Sequence, residues 1–276
     1  MLTIGMPSYK NAEQVWWTIQ SLRMYQDLTD CEILVIDNFG DDALRDWCSY
    51  WSNGVIRYVK FTDKQGTAIA KEQVFKNARE DDFVLCIDSH IMFSPGSITK
   101  LKEWIKNNKN CPDLIHGVML YDNLVDCVDR MEQVWRDEMF GIWGRKKRYL
   151  PETPYEIPMH GGGCVGCFKN QWLHYNEEFK GFGGEEGYIH MKYKQAGRKI
   201  LCLPFLKWAH RFYDEISKAP YSLTVEEKIR NYLIGFLELG VDTKEVIEHF
   251  KDFDIKIEEE PENKGNISER IAILRK

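Results

Sequence analysis

The sequence predicts an α/β fold on a mostly parallel central sheet, and three observations carry that reading. Short apolar runs recur through the first third of the chain, each ending at polar residues. Stretches with apolar residues at helical spacing separate those runs. The resulting order of strand, helix, strand, helix, strand is that of parallel sheets, whose crossovers are helices. In such sheets ligands bind beyond the carboxyl ends of the strands.

Leu2–Met6 is the first strand, ending at Pro7. Ala12–Tyr25 follows as a helix, with Val15, Trp16, Ile19, Leu22 and Met24 at helical spacing. The run Glu32–Ile36, closed by Asp37-Asn38, suits a strand covered on both faces. A helix near Asp41–Trp51, a strand Val55–Phe61, a helix Thr67–Ala78 and a strand Phe83–Ile87 continue the alternation. Beyond them a helix is expected over Ile98–Asn108 and a strand over Leu114–Met119. The aromatic-rich stretch Asp122–Pro158 reads as partly loop, Gly161–Phe168 is Gly-rich, and a further element starts at Gln171–Tyr175. Gly181-Phe182-Gly183-Gly184 opens a helix Glu185–Gln195, and Lys199–Leu203 is a strand before Pro204. Two more helices, Val225–Leu239 and Thr243–Phe253, precede a charged tail. The expected organisation is a main domain over 1–215 and a C-terminal helical extension over 216–276. The stripe Val225, Ile229, Leu233, Phe236 and Leu237 would dock that extension on the main domain or form an oligomer contact.

The 276 residues suffice for one large core, and 43% hydrophobic with 29% charged residues is ordinary for a globular chain. A net charge of −6 gives no overall pull toward nucleic acid or anionic membrane. No apolar run reaches the roughly 18 residues of a membrane span. Met1–Pro7 reads as a strand and not as a signal peptide, so eight scattered cysteines are expected as reduced thiols in a cytoplasm. Cys164 and Cys167 form a lone CxxC without a second pair, and a structural role is the simpler reading.

Asp88-Ser89-His90 follows a buried strand, and residues i and i+2 of extended chain point the same way. One carboxylate with imidazoles suits Mn²⁺, Fe²⁺ or Zn²⁺ better than Ca²⁺. Alone, the pattern also reads as a capping aspartate and a satisfied histidine. His210, in Trp208-Ala209-His210-Arg211, could supply a third ligand. In Phe182-Gly183-Gly184-Glu185-Glu186 the glycines would admit close backbone approach to a ligand, and two carboxylates open a helix. Acidic residues in a first turn are equally ordinary capping chemistry. The run Arg145-Lys146-Lys147-Arg148 reads as solvated loop, and His160, His174 and His190 as surface or packing residues.

Taken in order, these pieces resemble nucleotide-sugar glycosyltransferases of the GT-A fold, particularly family 2 and the polypeptide N-acetylgalactosaminyltransferases. The resemblance runs over about residues 2–213. It comprises Pro7-Ser8-Tyr9, Glu32–Asp37, Lys64–Lys71, the DSH at Asp88-Ser89-His90, Gly161-Gly162-Gly163, Phe182–Glu186 and His210. It implies a GT-A sheet and transfer of a sugar from a nucleotide diphosphate, UDP first, to a hydroxyl. The acceptor could be a glycan, a protein or a modified nucleobase.

By that resemblance Asp88, His90 and His210 hold Mn²⁺, with Mg²⁺ second, to neutralise the departing diphosphate. Asp37 would contact the base or ribose beside Tyr9, and Lys64 and Lys71 would face the diphosphate or donor sugar. Pro7, Gly66, Ser89, Gly162, Gly163, Gly184 and Glu185 complete the implied donor site, and Trp143 and Phe182 the acceptor side. Glu186 stands where inverting members place a carboxylate base and retaining ones an amide, so inversion is implied. Phe182 replaces a family tryptophan, and Lys64 replaces an arginine and with it a bidentate phosphate fork. Two rivals are a non-catalytic nucleotide-sugar or glycan-binding protein and an Fe(II) oxygenase, whose ligand order HxD…H differs.

Overall fold

A computed structural model describes residues 1–52, 54–211, 224–253, 255–259 and 271–275. The strands are β1 Leu2–Ser8, β2 Cys31–Asp37, β3 Ile56–Lys60, β4 Phe83–Ile87, β5 Ile91–Phe93, β6 Leu114–Leu120 and β7 Cys127–Val128. They continue as β8 Met131–Arg136, β9 Met139–Trp143, β10 Tyr155–Glu156, β11 Cys164–Phe168, β12 Ile200–His210, β13 Ile255–Glu259 and β14 Ile271–Arg275. The helices are α1 Ala12–Tyr25, α2 Asp42–Trp51, α3 Thr67–Asn77, α4 Ser97–Asn107, α5 Glu185–Gln195, α6 Val225–Glu238 and α7 Lys244–Phe250.

The main sheet runs β10-β12-β6-β11-β4-β1-β2-β3, with β5 joined to β12 and β7 to β6. β3, β2, β1 and β4 are mutually parallel, as are β6 and β12. Between the two blocks β11 runs antiparallel to both β4 and β6. The expected mostly parallel sheet is thus interrupted in its interior by the strand that follows Gly161–Gly163, while β5, β7 and β10 add short antiparallel pairings.

Alternation along the strands divides the core. Ile33 and Val35 of β2 and Phe83, Leu85 and Ile87 of β4 pack with Val15, Ile19 and Leu22 of α1 and with α2 and α4. Leu34 and Ile36, Val84 and Cys86 face the opposite side, against Val74 and Phe75 of α3 and Tyr188 and Tyr193 of α5. This is why continuous apolar runs, and not alternating ones, mark these strands. Cys164 and Cys167 fall into different halves of this core, both buried, and all eight cysteines are free thiols. Three residues apart on a strand they point to opposite faces, so the CxxC is a packing feature.

Several expectations are corrected. β12 does not stop at Pro204 but continues to His210. Its pairing with β6 is irregular between Cys202 and Lys207, and that break places Pro204 where no ladder donor is needed. Asp122–Pro158 is partly loop, as expected, and the loop carries two short strands, β7 and β10, and the β8–β9 hairpin. No helix or strand starts at Gln171; a short 3-10 turn ends there. The C-terminal part is not all helical, because β13 and β14 pair antiparallel after α7. The expected boundary at 215/216 lies outside the described residues. Ile229, Tyr232, Leu233 and Phe236 of α6 pack with Met131, Phe140 and Met159 of the main domain, so α6 docks there.

Candidate active site

Asp88 follows β4, His90 precedes β5, and His210 ends β12. The antiparallel pairing of β5 with β12 sets His210 opposite Ile91 and so brings residues 120 apart together. The Nε2 atoms of His90 and His210 lie 3.0 Å apart, and His210 Nε2 is 3.5 Å from Asp88 Oδ2. One ligand atom from each residue lies within 4.8 Å of the others. Burial works to raise the Asp88 pKa, but the Lys71 ammonium and the two imidazoles outweigh it and hold the carboxyl well below its usual range. Burial lowers the pKa of His90, which keeps its ring neutral and a nitrogen lone pair available. One ionised carboxylate and two imidazoles converging on one point fit a divalent transition metal. A cleft of about 480 Å³ opens beside His90 and His210, lined also by Trp17, Thr18 and Met92.

Lys71, expected to face the diphosphate or donor sugar, is buried within α3. Its Nζ lies 3.2 Å from Asp88 Oδ1 and donates to Gly162 O at 2.7 Å. Burial alone would lower its pKa, but Asp88 and the two glutamates of α5 raise it. Gly162 is where Lys71 needs space: a Cβ there would come within 2.6 Å of Nζ. The amide of Gly162 donates to Glu186 Oε1 at 3.4 Å. Gly163 O accepts from Asp88 N at 3.0 Å. A continuous path therefore runs from the three candidate metal ligands through Lys71 and the glycine loop to Glu186.

Glu185 and Glu186 open α5 in different environments. Glu185 is 1% exposed; Oε2 accepts from Gly183 N at 2.8 Å, while Oε1 is buried with no partner among the described residues. Burial, then the charge of Glu186, push its pKa up to about 8, against the pull of Lys71. Glu186 is half-exposed, and its carbonyl accepts from His190 Nδ1.

The expected base-contacting Asp37 is fully buried. Its Oδ1 accepts from Phe39 N and Gly40 N, and its Oδ2 from Asp41 N and Tyr58 Oη. With both oxygens bonded within the chain, Asp37 shapes the loop after β2. Pro7, the next-to-last residue of β1, pairs with Ile36, and Tyr9 packs on Phe39 at 5.2 Å. Lys64 Nζ donates to Glu177 O, and the carbonyl of Ser89 accepts from Thr18. Gly66 bridges to Gly181 and begins α3. Trp143 is half-buried on Gly161 and edge-on to His160 at 5.1 Å, and Phe182 is half-exposed on the loop before α5. Gly184 packs against α6, where a Cβ would come within 3.1 Å of Asn231 Cβ. Lys146, Lys147 and Arg148 pair with Asp126 and Asp129.

Three features escaped the sequence. Asn38 donates to Phe61 O and Lys64 O and accepts from Gly66 N, tying β2 to the start of α3. Its only signal was its place beside Asp37 at a strand end. His116, His160 and His190 stack in the interior, with His116 Nε2 2.9 Å from His190 Nε2. Histidines so far apart in the chain carry no spacing signal. Asn231 of α6 is 2% exposed and, with Lys228, interrupts a mostly apolar buried face, a polar break that the sequence pattern contains.

Comparison with known proteins follows the same lines. Residues 3–169 match the model of the family "Glycosyl transferase family 2". No curated protein matches the chain. Among solved structures, GalNAc-T7 with UDP, GalNAc and Mn²⁺ aligns at a TM-score of 0.69 and 16% identity, covering 91% of this chain and 54% of that one. S. aureus TarS 1–349 with UDP-GlcNAc gives 0.57 and 17%, over 91% and 71%. The mannosyltransferase PcManGT from Pyrobaculum calidifontis with GDP-Man and Mn²⁺ gives 0.55 and 14%, over 90% and 68%. The chain thus spans about half the length of GalNAc-T7, and at these identities the likeness is one of fold. With the family model matching more than half of its length, the chain belongs to glycosyl transferase family 2.

Proposed function

We propose that the chain transfers a glycosyl group from a nucleotide-diphosphate sugar, UDP-linked first, to a hydroxyl acceptor, with inversion. The observation that carries this is the path from Asp88, His90 and His210 through Lys71 and Gly162 to Glu186. A divalent cation there, Mn²⁺ before Mg²⁺, would neutralise charge on the leaving diphosphate. Asp88, kept ionised by Lys71, and the neutral His90 ring would hold it with His210. GalNAc-T7 and PcManGT, both solved with Mn²⁺ and a nucleotide, support that assignment.

Glu186 is the half-exposed carboxylate of the pair and takes the proton of the acceptor hydroxyl. The acceptor oxygen then bonds to the anomeric carbon as the bond from that carbon to the diphosphate oxygen breaks. Glu185, protonated near neutrality by burial, holds a donor-sugar hydroxyl with its unpartnered Oε1. One buried and one half-exposed carboxylate, side by side at the start of α5, suit such divided roles. Tyr9 and the loop shaped by Asp37 would frame the nucleoside, and Trp143 and Phe182 the acceptor.

The test is donor binding and hydrolysis across a panel of nucleotide sugars, with Mn²⁺ and with EDTA, for wild type and His210→Ala. Slow Mn²⁺-dependent release of one nucleotide, lost in the variant, is expected. Binding of a nucleotide sugar without any turnover would favour a binding protein of the same fold, and no binding under any condition would sink the proposal.

A further inference from the structure

Helix α6 lies beyond the stretch matched by the family model, yet it grips the loop that carries the two glutamates. Asn231 makes the grip. Its Nδ2 donates to Lys180 O at 2.7 Å and to Gly183 O at 2.9 Å, and its Oδ1 accepts from Lys180 N at 3.1 Å. A carboxamide has two N–H donors and one carbonyl. Here all of them go to one short loop, in a side chain only 2% exposed. Beside it, Arg230 Nη1 donates to Glu178 O at 2.7 Å.

The glycines of the loop answer to the same helix. A Cβ on Gly183 would come within 2.9 Å of the Lys228 stem, and one on Gly184 within 3.1 Å of Asn231 Cβ. Both have positive φ, 101° and 92°, which lets the chain turn sharply under α6 before α5 begins. On its other side the loop is held by α3, where Thr67 N donates to Gly181 O at 2.8 Å. Glu185 and Glu186 follow directly, so the loop sets where α5 starts and where both carboxylates stand.

We propose that Asn231 is a positioning residue for Glu185 and Glu186, fixing loop 180–184 so that α5 presents both carboxylates beside Lys71 and Gly162. The inference rests on the roles proposed for the two glutamates. It requires an amide at this position. An aspartate of the same shape keeps the acceptor for Lys180 N but turns oxygen toward the carbonyls of Lys180 and Gly183. When protonated, the aspartate regains one donor.

The experiment compares wild type, Asn231→Asp and Asn231→Ala by hydrogen exchange of the ligand-free chain, donor affinity with Mn²⁺, and turnover against pH. In Asn231→Asp the amides of 180–186 are expected to exchange faster while those of β1, β2 and β4 stay protected. Turnover should fall about 100-fold, the order expected of a misplacement near 1 Å, with donor affinity within roughly threefold. Relative to wild type, that turnover should recover as pH falls, whereas Asn231→Ala should show no such recovery. Unchanged exchange at 180–186 would overturn the proposal, as would protection lost equally across the sheet or identical pH behaviour of the two variants. If wild type turns over no donor, the functional reading fails instead. The exchange comparison then still decides whether Asn231 holds the loop.

Discussion

Lys71→Met isolates the electrostatics on which the site depends. The substitution keeps most of the stem's volume and removes the ammonium that lies 3.2 Å from Asp88 Oδ1. Deleting one partner of a buried ion pair costs about 3–5 kcal/mol. The Asp88 side chain keeps 22% exposure, so the lower end applies. About 3 kcal/mol in a chain of this size corresponds to a Tm fall of roughly 6–12 °C. The sign with pH is fixed. In wild type the Asp88 pKa is lowered, so its contribution is present above the ordinary value of 3.8 and lost as pH falls below it. Without Lys71 only the two imidazoles oppose burial, so the Asp88 pKa rises relative to wild type and the carboxylate's contribution above it shrinks. The gap between the proteins should be widest near neutrality and close toward pH of about 4. A cation bound to Asp88 supplies the missing charge, so saturating Mn²⁺ should narrow the gap to less than about half. Thermal melts of both proteins, with Mn²⁺ and with EDTA across that pH range, measure this. A gap independent of both metal and pH would refute the reasoning.

Three further outcomes follow from the same geometry. Glu186→Gln should lower kcat by about 10²–10⁴-fold while leaving donor affinity and Mn²⁺ binding intact, measured by single-turnover kinetics and titration calorimetry. Glu185, with its pKa pushed up to about 8, gives up its proton as pH rises. The transfer rate should therefore fall above that pH, and Glu185→Gln should flatten this limb of the profile. Gly162→Ala puts a Cβ within 2.6 Å of Lys71 Nζ. It should destabilise by about 1–3 kcal/mol in urea unfolding and reduce turnover with it.

How much was legible in the sequence follows from which contacts are local. β4, α1 and α5 were read to their end residues because continuous apolar runs and helical periodicity are properties of neighbouring positions. Asp88 and His90 were legible for the same reason. His210 depends on the pairing of β5 with β12, which only the order of motifs in the family resemblance anticipates. The contacts of Lys71 with Asp88 and Gly162 have no local signal. A lysine inside a helix looks solvent-facing until the fold buries it beneath the glycine loop. The bonds from the Asp37 carboxylate to the backbone amides of its own loop are local, but the turn that forms them is not spelled by the residue types. The grip of Asn231 joins α6 to loop 180–184, and no local pattern records such a contact.

Mn²⁺ titration of wild type and His210→Ala in the presence of UDP tests the central claim most directly. One Mn²⁺ site in wild type, weakened at least about tenfold in the variant with UDP affinity falling alongside, is the predicted result. Equal Mn²⁺ affinity in both proteins, or UDP binding indifferent to EDTA, would contradict a metal held by Asp88, His90 and His210.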